Sequence, residues 1–137
     1  MINFLISLGL ITIYSETIIV QMPPTTTIVS EKPVESVVEG LASYYSRAGC
    51  LGCSPTLTMA NGEPLDDNKL TVAYNRAPLN SYIEITNPKT GEKVTARVTD
   101  RGGFERHGKI VDLSVATKKA LGCGDVCKVI IKSGYIK

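Results

Sequence analysis

From residue 40 onward, the chain alternates apolar and polar positions in short runs that turn residues separate. Alternation with a period of two is typical of strands that bury one face and expose the other. Five runs of this kind are predicted to be strands: GLASYYS (40–46), SYIEIT (81–86), KVTARV (93–98), KIVDLS (109–114) and VCKVIIK (126–132). A sixth short run, LTVA (70–73), is also strand-like. The pattern therefore predicts a fold built mainly from short strands.

Two of these runs form a predicted hairpin. Between SYIEIT and KVTARV lies NPKTGE, whose Asn-Pro and Thr-Gly pairs are turn signals. In the second strand, Val94, Ala96 and Val98 fall on one face and Lys93, Thr95 and Arg97 on the other. We expect the first face to lie in the core and the second to contact solvent.

One helix is predicted, in VATKKALG after the KIVDLS strand. Ser114 is a good N-cap, and Gly122 would end the helix. About six short strands with one short helix indicate an all-β fold, a compact barrel.

The N-terminal region differs from the rest. FLISLGLITIY (4–14) has the length of the apolar part of a signal peptide and is too short to span a bilayer unaided. An alternative is an uncleaved membrane anchor that continues through TIIV (17–20), and another is an ordinary hydrophobic strand. Residues 21–39, rich in Pro, Thr and Glu, are typical of a linker. We therefore expect an export segment and linker over residues 1–39 and one domain over residues 40–137, in the cell envelope or outside the cell.

Composition and charge narrow the class of partner. The 137 residues are 43% hydrophobic and include no Trp, which suits a Val/Ile/Leu-rich core. Net charge is +2; residues 1–39 carry one basic and four acidic residues (−3), and residues 40–137 carry fourteen basic and nine acidic (+5). This mild positive charge favours an anionic partner such as a cell-wall polymer and argues against nucleic acid. We expect a monomer.

Four cysteines occur in two close pairs, Cys50 with Cys53 and Cys123 with Cys127. An exported protein encounters an oxidising compartment, where an even number of cysteines usually forms disulfides. A zinc site built from four thiolates and a redox-active Cys-x-x-Cys are the alternatives. The three disulfide pairings that four cysteines allow stay open at this point, and we expect neither a bound metal nor a cofactor.

Candidate chemistry concentrates in VTDRGGFERHGKIVDLS (98–114). Asp100 lies between a strand and a pair of glycines, with Arg101 beside it. A partly buried carboxyl with a raised pKa can protonate a leaving oxygen near neutral pH, although a nearby guanidinium would lower that pKa. Asp112 is expected to anchor the junction between strand and helix, and His107 to lie in an exposed loop.

These motifs together resemble a known family. ASYY near the start, ANGE (60–63), LTVAY (70–74), DRGGF (100–104) and IVDLS (110–114) follow one another as in the RlpA-like (rare lipoprotein A) double-psi β-barrel domain. The resemblance extends from about residue 40 to residue 132. It implies a six-stranded double-psi β-barrel with one short helix. The best-known members are septal lytic transglycosylases, which cut peptidoglycan strands that lack stem peptides.

The resemblance also implies roles for single residues. By motif, Asp100 is the expected catalytic acid, with Glu63 and Asp66 assisting, while Asn61 and Arg101 are expected to contact the substrate. Two positions depart from the family pattern. Tyr74 stands where catalytic members carry a histidine, and it is expected to contact the glycan by hydrogen bonding or stacking. Gly103 stands where the family usually has proline, which suggests a more flexible loop.

Two functions are consistent with these features. In the first, the protein is an endolytic peptidoglycan lytic transglycosylase that cleaves glycan strands through an aspartate acid/base and leaves anhydro-sugar ends. In the second, it is an expansin-like module that binds cell-wall glycan without cutting it. The acids Glu63, Asp66 and Asp100 favour the enzyme, and Tyr74 and Gly103 favour the binding module.

Overall fold

The computed structural model describes residue 21 and residues 35–50 and 53–134. The predicted export segment and most of the predicted linker lie outside these residues. The six strands are β1 (Ser36–Tyr44), β2 (Thr71–Ala73), β3 (Tyr82–Thr86), β4 (Lys93–Asp100), β5 (Lys109–Leu113) and β6 (Cys127–Ser133). The one α-helix, α1, spans Val115–Ala120, and a 3-10 helix spans Phe104–His107.

The strands form a closed barrel in the order β1-β5-β2-β4-β3-β6, with β6 pairing back to β1. β1 with β5 and β2 with β4 are parallel pairs, and the other four pairs are antiparallel. Closure leaves no unpaired sheet edge. The prediction of an all-β barrel with six short strands and one short helix is confirmed.

The predicted hairpin is present as β3 and β4, in which Ile83 pairs with Ala96 and Ile85 with Val94. The alternation in β4 is also as predicted, because Val94, Ala96 and Val98 are buried in the barrel.

The first strand begins earlier than the predicted domain start at residue 40. Ser36–Glu39 falls in the predicted linker, yet these residues pair with β6, from Ser36 opposite Ser133 to Glu39 opposite Ile130. Pairing with a distant strand satisfies their backbone groups.

The helix has the predicted ends. Ser114 Oγ accepts a hydrogen bond from the backbone N–H of Thr117, at 3.2 Å. Gly122 follows the last turn with a φ of +63°, a left-handed conformation that glycine adopts without strain. Both cap predictions are confirmed.

Two apolar clusters stabilise the fold. The larger one fills the barrel and includes Val72, Val98, Val111 and Ile131. The smaller one, which we call the outer cluster, comprises Tyr45, Met59, Leu65, Ala73 and Phe104. Successive residues of a strand face opposite sides, so β2 contributes Val72 to the barrel core and Ala73 to the outer cluster.

Both cysteine pairs form disulfides, Cys50–Cys53 and Cys123–Cys127, each with a Cα–Cα distance of 5.5 Å. The disulfide prediction is therefore confirmed, and of the three possible pairings the structure has the one within each local pair. In the stretches that the model covers, we find no helix long and apolar enough to cross a membrane.

Candidate functional site

An open groove with a volume of about 800 Å³ runs beside the outer cluster. Its lining comes from the ends of β1 and β4, from β2 and β5, from the loop 100–107 and from the segment 53–60. Tyr45, Met59, Leu65, Ala73 and Phe104 are all lining residues, so the outer cluster forms its apolar floor.

Strand register sets a row of four residues across this floor. Ser43 of β1 is opposite Asp112 of β5, Asp112 is opposite Ala73 of β2, and Ala73 is opposite Asp100 of β4. All four line the groove. Adjacent strands are about 4.8 Å apart, so the Cα atoms of the two aspartates are roughly 10 Å apart. The intervening residue, Ala73, is buried in the outer cluster with Tyr45.

Asp112 has an environment suited to holding a proton. Burial has the largest effect and raises the pKa of its carboxyl, and the negative charge of Asp100 also raises it. The hydrogen bond from the Ser43 hydroxyl to Oδ1 and the positive charge of Lys109 lower it. The net shift of the pKa is upward. Asp112 was expected to anchor the strand–helix junction by hydrogen bonds, and the hydrogen bond that it accepts comes from Ser43 of β1. As an outward-facing residue of β5, it presents its carboxyl to the groove.

Asp100 ends β4, where its carboxylate is fixed by the backbone. Its Oδ1 accepts hydrogen bonds from the N–H of Ala60, at 3.0 Å, and from the N–H of Arg101, at 2.9 Å. The side chain is half-buried and lines the groove, as its sequence context predicts.

Arg101 directs its guanidinium away from Asp100. It donates hydrogen bonds to the backbone oxygens of Tyr74 and of Ala77, the latter at 2.6 Å. No ion pair joins it to Asp100 among the described residues. Arg101 therefore ties the loop after β4 to the segment after β2, a structural task that the sequence did not indicate.

The turn 59–63 lies over β4 and contains two of the predicted site residues. Asn61 Nδ2 donates to Glu63 Oε2, at 2.7 Å, and the Arg97 guanidinium also binds this oxygen. These two interactions outweigh desolvation and lower the pKa of Glu63. The backbone N–H of Asn61 donates to Thr99 O, at 3.1 Å. Glu63 and Asn61 do not line the groove.

Asp66 caps its own turn, since its Oδ1 accepts from the backbone N–H of Asn68, at 2.9 Å. Like Glu63, it lies away from the groove lining. The structure thus brings Asp112 close to Asp100 and leaves both other predicted acids outside the groove.

Tyr74 is fully buried in the barrel core and does not line the groove. Burial raises the pKa of its phenol, opposed by Arg76 and aided by Glu105. The expected contact between this ring and the glycan is therefore corrected. Side chains alternate between the two faces along β2. Tyr74, which follows Ala73, therefore falls on the same side as Val72, in the barrel core.

Two tyrosines do line the groove, Tyr44 and Tyr45, and the pKa of Tyr45 is raised to about 12 mainly by burial and also by Asp100. The Tyr45 phenol is therefore neutral at physiological pH. Its position in the ASYY motif was the available signal for a role in the groove.

Three side chains at the end of the 3-10 helix and the start of β5 also line the groove, namely Arg106, His107 and Lys109, and we call this part of the lining the basic wall. His107 is exposed, as predicted, at the end of the 3-10 helix. The apolar floor is crossed by the carboxyls of Asp112 and Asp100, and we call this strip of the groove the acidic floor.

Comparison with known proteins shows the family and the fold. A family model described as "Lytic transglycolase" matches residues 37–136. "Endolytic peptidoglycan transglycosylase RlpA" of Yersinia pestis is 39% identical over 92 residues, 67% of this chain and 24% of the relative. The Pasteurella multocida protein of the same name is 36% identical over 84 residues, 61% of this chain and 26% of the relative.

The chain thus spans about a quarter of the length of these curated relatives. Among solved structures, "Streptomyces papain inhibitor (SPI)" matches with a TM-score of 0.51 and 19% identity, over 71% of this chain and 93% of that chain. That likeness concerns the fold, which is a double-psi β-barrel. The chain belongs to the lytic transglycolase family of RlpA-like double-psi β-barrel domains.

Proposed function

We propose that this domain is a lytic transglycosylase that cleaves the glycan strands of peptidoglycan in the groove between the acidic floor and the basic wall. The observation that carries the proposal is the row Ser43–Asp112–Ala73–Asp100, which holds two carboxyls on either side of an alanine in one open groove. The RlpA relatives, named as endolytic peptidoglycan transglycosylases, support the choice of substrate.

Asp112 is the proposed general acid, because burial raises the pKa of its carboxyl and so makes the protonated form, from which a proton can be transferred, easier to reach than in an ordinary aspartate. Its proton passes to the glycosidic oxygen as the bond from that oxygen to the anomeric carbon breaks. The sugar's own primary hydroxyl then attacks the anomeric carbon and returns its proton to Asp112. The product is an anhydro sugar, and no water is consumed.

Asp100 is the proposed electrostatic partner. Positive charge develops at the anomeric carbon as the bond breaks, and a nearby carboxylate stabilises it. The backbone N–H groups of Ala60 and Arg101 hold the Asp100 side chain in place before substrate binds. The reaction therefore needs both acids, in different roles.

The other acids have positioning roles in this proposal. Glu63 and Asn61 hold the turn whose Ala60 N–H binds Asp100, and Asp66 stabilises the turn that follows. Arg101 orients the loop after β4 through backbone carbonyls. Tyr74 packs the core.

The site of action is proposed to be the cell envelope. Disulfides persist in oxidising compartments, and all four cysteines are paired here. The identity of the substrate agrees with this location.

The direct test is mass analysis of peptide-free glycan strands after incubation with the chain. We expect fragments with anhydro ends; fragments with reducing ends would identify a hydrolase. Asp112→Asn and Asp100→Asn should each lower turnover by about two to four orders of magnitude. Asp125→Asn is the matched control, because this acid is exposed and lies outside the groove, and it should retain turnover close to that of the parent.

A second substrate separates the roles of the two acids. An aryl glycoside of N-acetylmuramic acid has a leaving group that departs without protonation. Asp112→Asn should therefore recover the part of its activity that depends on protonating the leaving group, whereas Asp100→Asn should stay as impaired as on glycan strands. The opposite pattern would make Asp100 the general acid.

The alternative function is glycan binding without cleavage. Tyr74 favours it, because its buried ring puts no titratable group into the groove at the position where catalytic relatives carry a histidine. Strands that bind the chain but release no fragments would establish this alternative.

A further inference from the structure

We propose that Arg106, seated over Gly103, determines specificity by binding the free carboxylate of a muramic acid residue in the glycan. This inference rests on the proposed function for its substrate class. It concerns recognition, so it can be tested by binding even if no bond is cut.

Space explains the glycine at position 103. Its φ is −88°, an ordinary value that other residues adopt, so backbone conformation does not require glycine. A Cβ there would lie 2.6 Å from Nη2 of Arg106 and 3.2 Å from its Cζ. The guanidinium therefore lies directly against the glycine backbone. Any side chain at position 103 would compete for the space that the Arg106 guanidinium occupies, so this arrangement depends on the glycine.

The positive charge of Arg106 is not neutralised by an acidic side chain among the described residues, so it is available to a ligand. Arg106 lines the groove and forms no ion pair with any residue that the structure describes. Its neighbours on the wall add to the positive field, with Lys109 Nζ donating to His107 O, at 3.3 Å. The acidic floor repels an anion, so an anionic group of the ligand is favoured at the wall.

The chemistry of the glycan identifies the anion. N-acetylglucosamine is neutral, whereas muramic acid carries a lactyl ether whose carboxylate is free when no stem peptide is attached. A guanidinium binds a carboxylate through two parallel hydrogen bonds, and its planar fork fixes orientation as well as position. Arg106 would therefore set which of the two alternating sugars lies over Asp112.

The test compares binding of two probes, peptide-free glycan strands and the same strands after reduction of their carboxylates to alcohols. We expect the parent to bind the unreduced strands about two- to fivefold more tightly at low salt, the range for an exposed ion pair with good geometry, and less so at high salt. Arg106→Gln should abolish the difference. Lys119→Gln removes an exposed positive charge in α1 and is the matched control, which should keep it.

Gly103→Ala tests whether the position of the Arg106 guanidinium against Gly103 matters. The added Cβ displaces only the end of a flexible side chain, so the variant should unfold at the temperature of the parent and yet lose the preference. Combining it with Arg106→Gln should cause no further loss, because both changes act on one interaction.

Equal affinity of the parent for both probes would overturn the inference, as would a preference that survives in Arg106→Gln. Failure of the proposed function is a different result, namely a preference for carboxylates without release of fragments.

Discussion

At the scale of single residues, the surroundings of each carboxyl decide what it can do. Glu63 is bound by Asn61 and Arg97, which favours its charged form and lowers its pKa. At Asp112, burial destabilises the charged form more than the Ser43 hydrogen bond stabilises it, so the pKa is raised. Two acids of similar intrinsic strength are therefore shifted in opposite directions, and only Asp112 lies in the groove.

The shift at Asp112 predicts how stability depends on pH. A carboxyl whose pKa is higher in the folded than in the unfolded protein favours folding below its ordinary value of about 3.9, and this contribution is lost as pH rises through the folded value. Asp112→Asn removes the charge that burial disfavours. We expect the variant to have a higher melting temperature than the parent at pH 7, with the gain shrinking toward pH 3.

Thermal unfolding followed by circular dichroism from pH 3 to pH 8 would check this. Glu92→Gln, at an exposed position, is the control and should follow the parent. A neutral-pH melting temperature of Asp112→Asn below that of the parent would show that the charged carboxyl is stabilising.

At the scale of elements, Ser114 forms several hydrogen bonds at the junction between β5 and α1. The Ser114 hydroxyl accepts from Thr117 N–H, donates to Lys69 O at 2.7 Å and lies 2.9 Å from Thr117 Oγ1. It thus caps the helix and joins it to the segment before β2. Ser114 has no exposed surface, so water cannot replace these bonds.

Ser114→Ala should therefore cost more than the loss of a cap alone. We expect the free energy of unfolding to fall by about 1–3 kcal/mol, from the lost cap and the unsatisfied buried partners. Urea denaturation would measure it, with Thr95→Ala on the exposed face of β4 as the control. A change below about 0.5 kcal/mol, the usual size for surface substitutions, would contradict this account.

At the scale of the whole molecule, closure of the barrel depends on the strand pairing. β1 and β6 bring the two ends of the described domain together as an antiparallel pair. Both disulfides join residues only three or four positions apart in the sequence. They close short loops and leave the distant strands to be held by backbone hydrogen bonds and by the core.

Reduction should therefore loosen the protein without opening the barrel. Loop entropy for such short loops corresponds to about 2 kcal/mol for each disulfide. We expect the reduced protein to retain its β-sheet circular dichroism and to unfold at a lower temperature.

Peptide mapping without reduction should find each cysteine linked to its near partner, and alkylation of the unreduced chain should add no label. A labelled thiol in the unreduced chain, or a link between the two pairs, would contradict the structure.

Much of the fold could be predicted from local pattern. The β3–β4 hairpin depends on alternating side chains and a turn between them, and α1 depends on Ser114 and Gly122, so both are encoded within a few neighbouring residues. The start of β1 was placed too late because pairing of Ser36–Glu39 with β6 is a long-range property. No local signal in that Pro- and Glu-rich stretch indicates it.

For the site too, local features could be predicted from the sequence and long-range ones could not. Sequence by itself determined the family, the barrel and the position of Asp100 beside a glycine-containing loop, because these follow from motifs and from the spacing of apolar residues. Only the tertiary structure decided that Asp112 shares the groove, that Glu63 and Asp66 do not, and that Tyr74 faces inward. Those facts depend on register between strands distant in sequence and on burial, and a linear pattern contains neither.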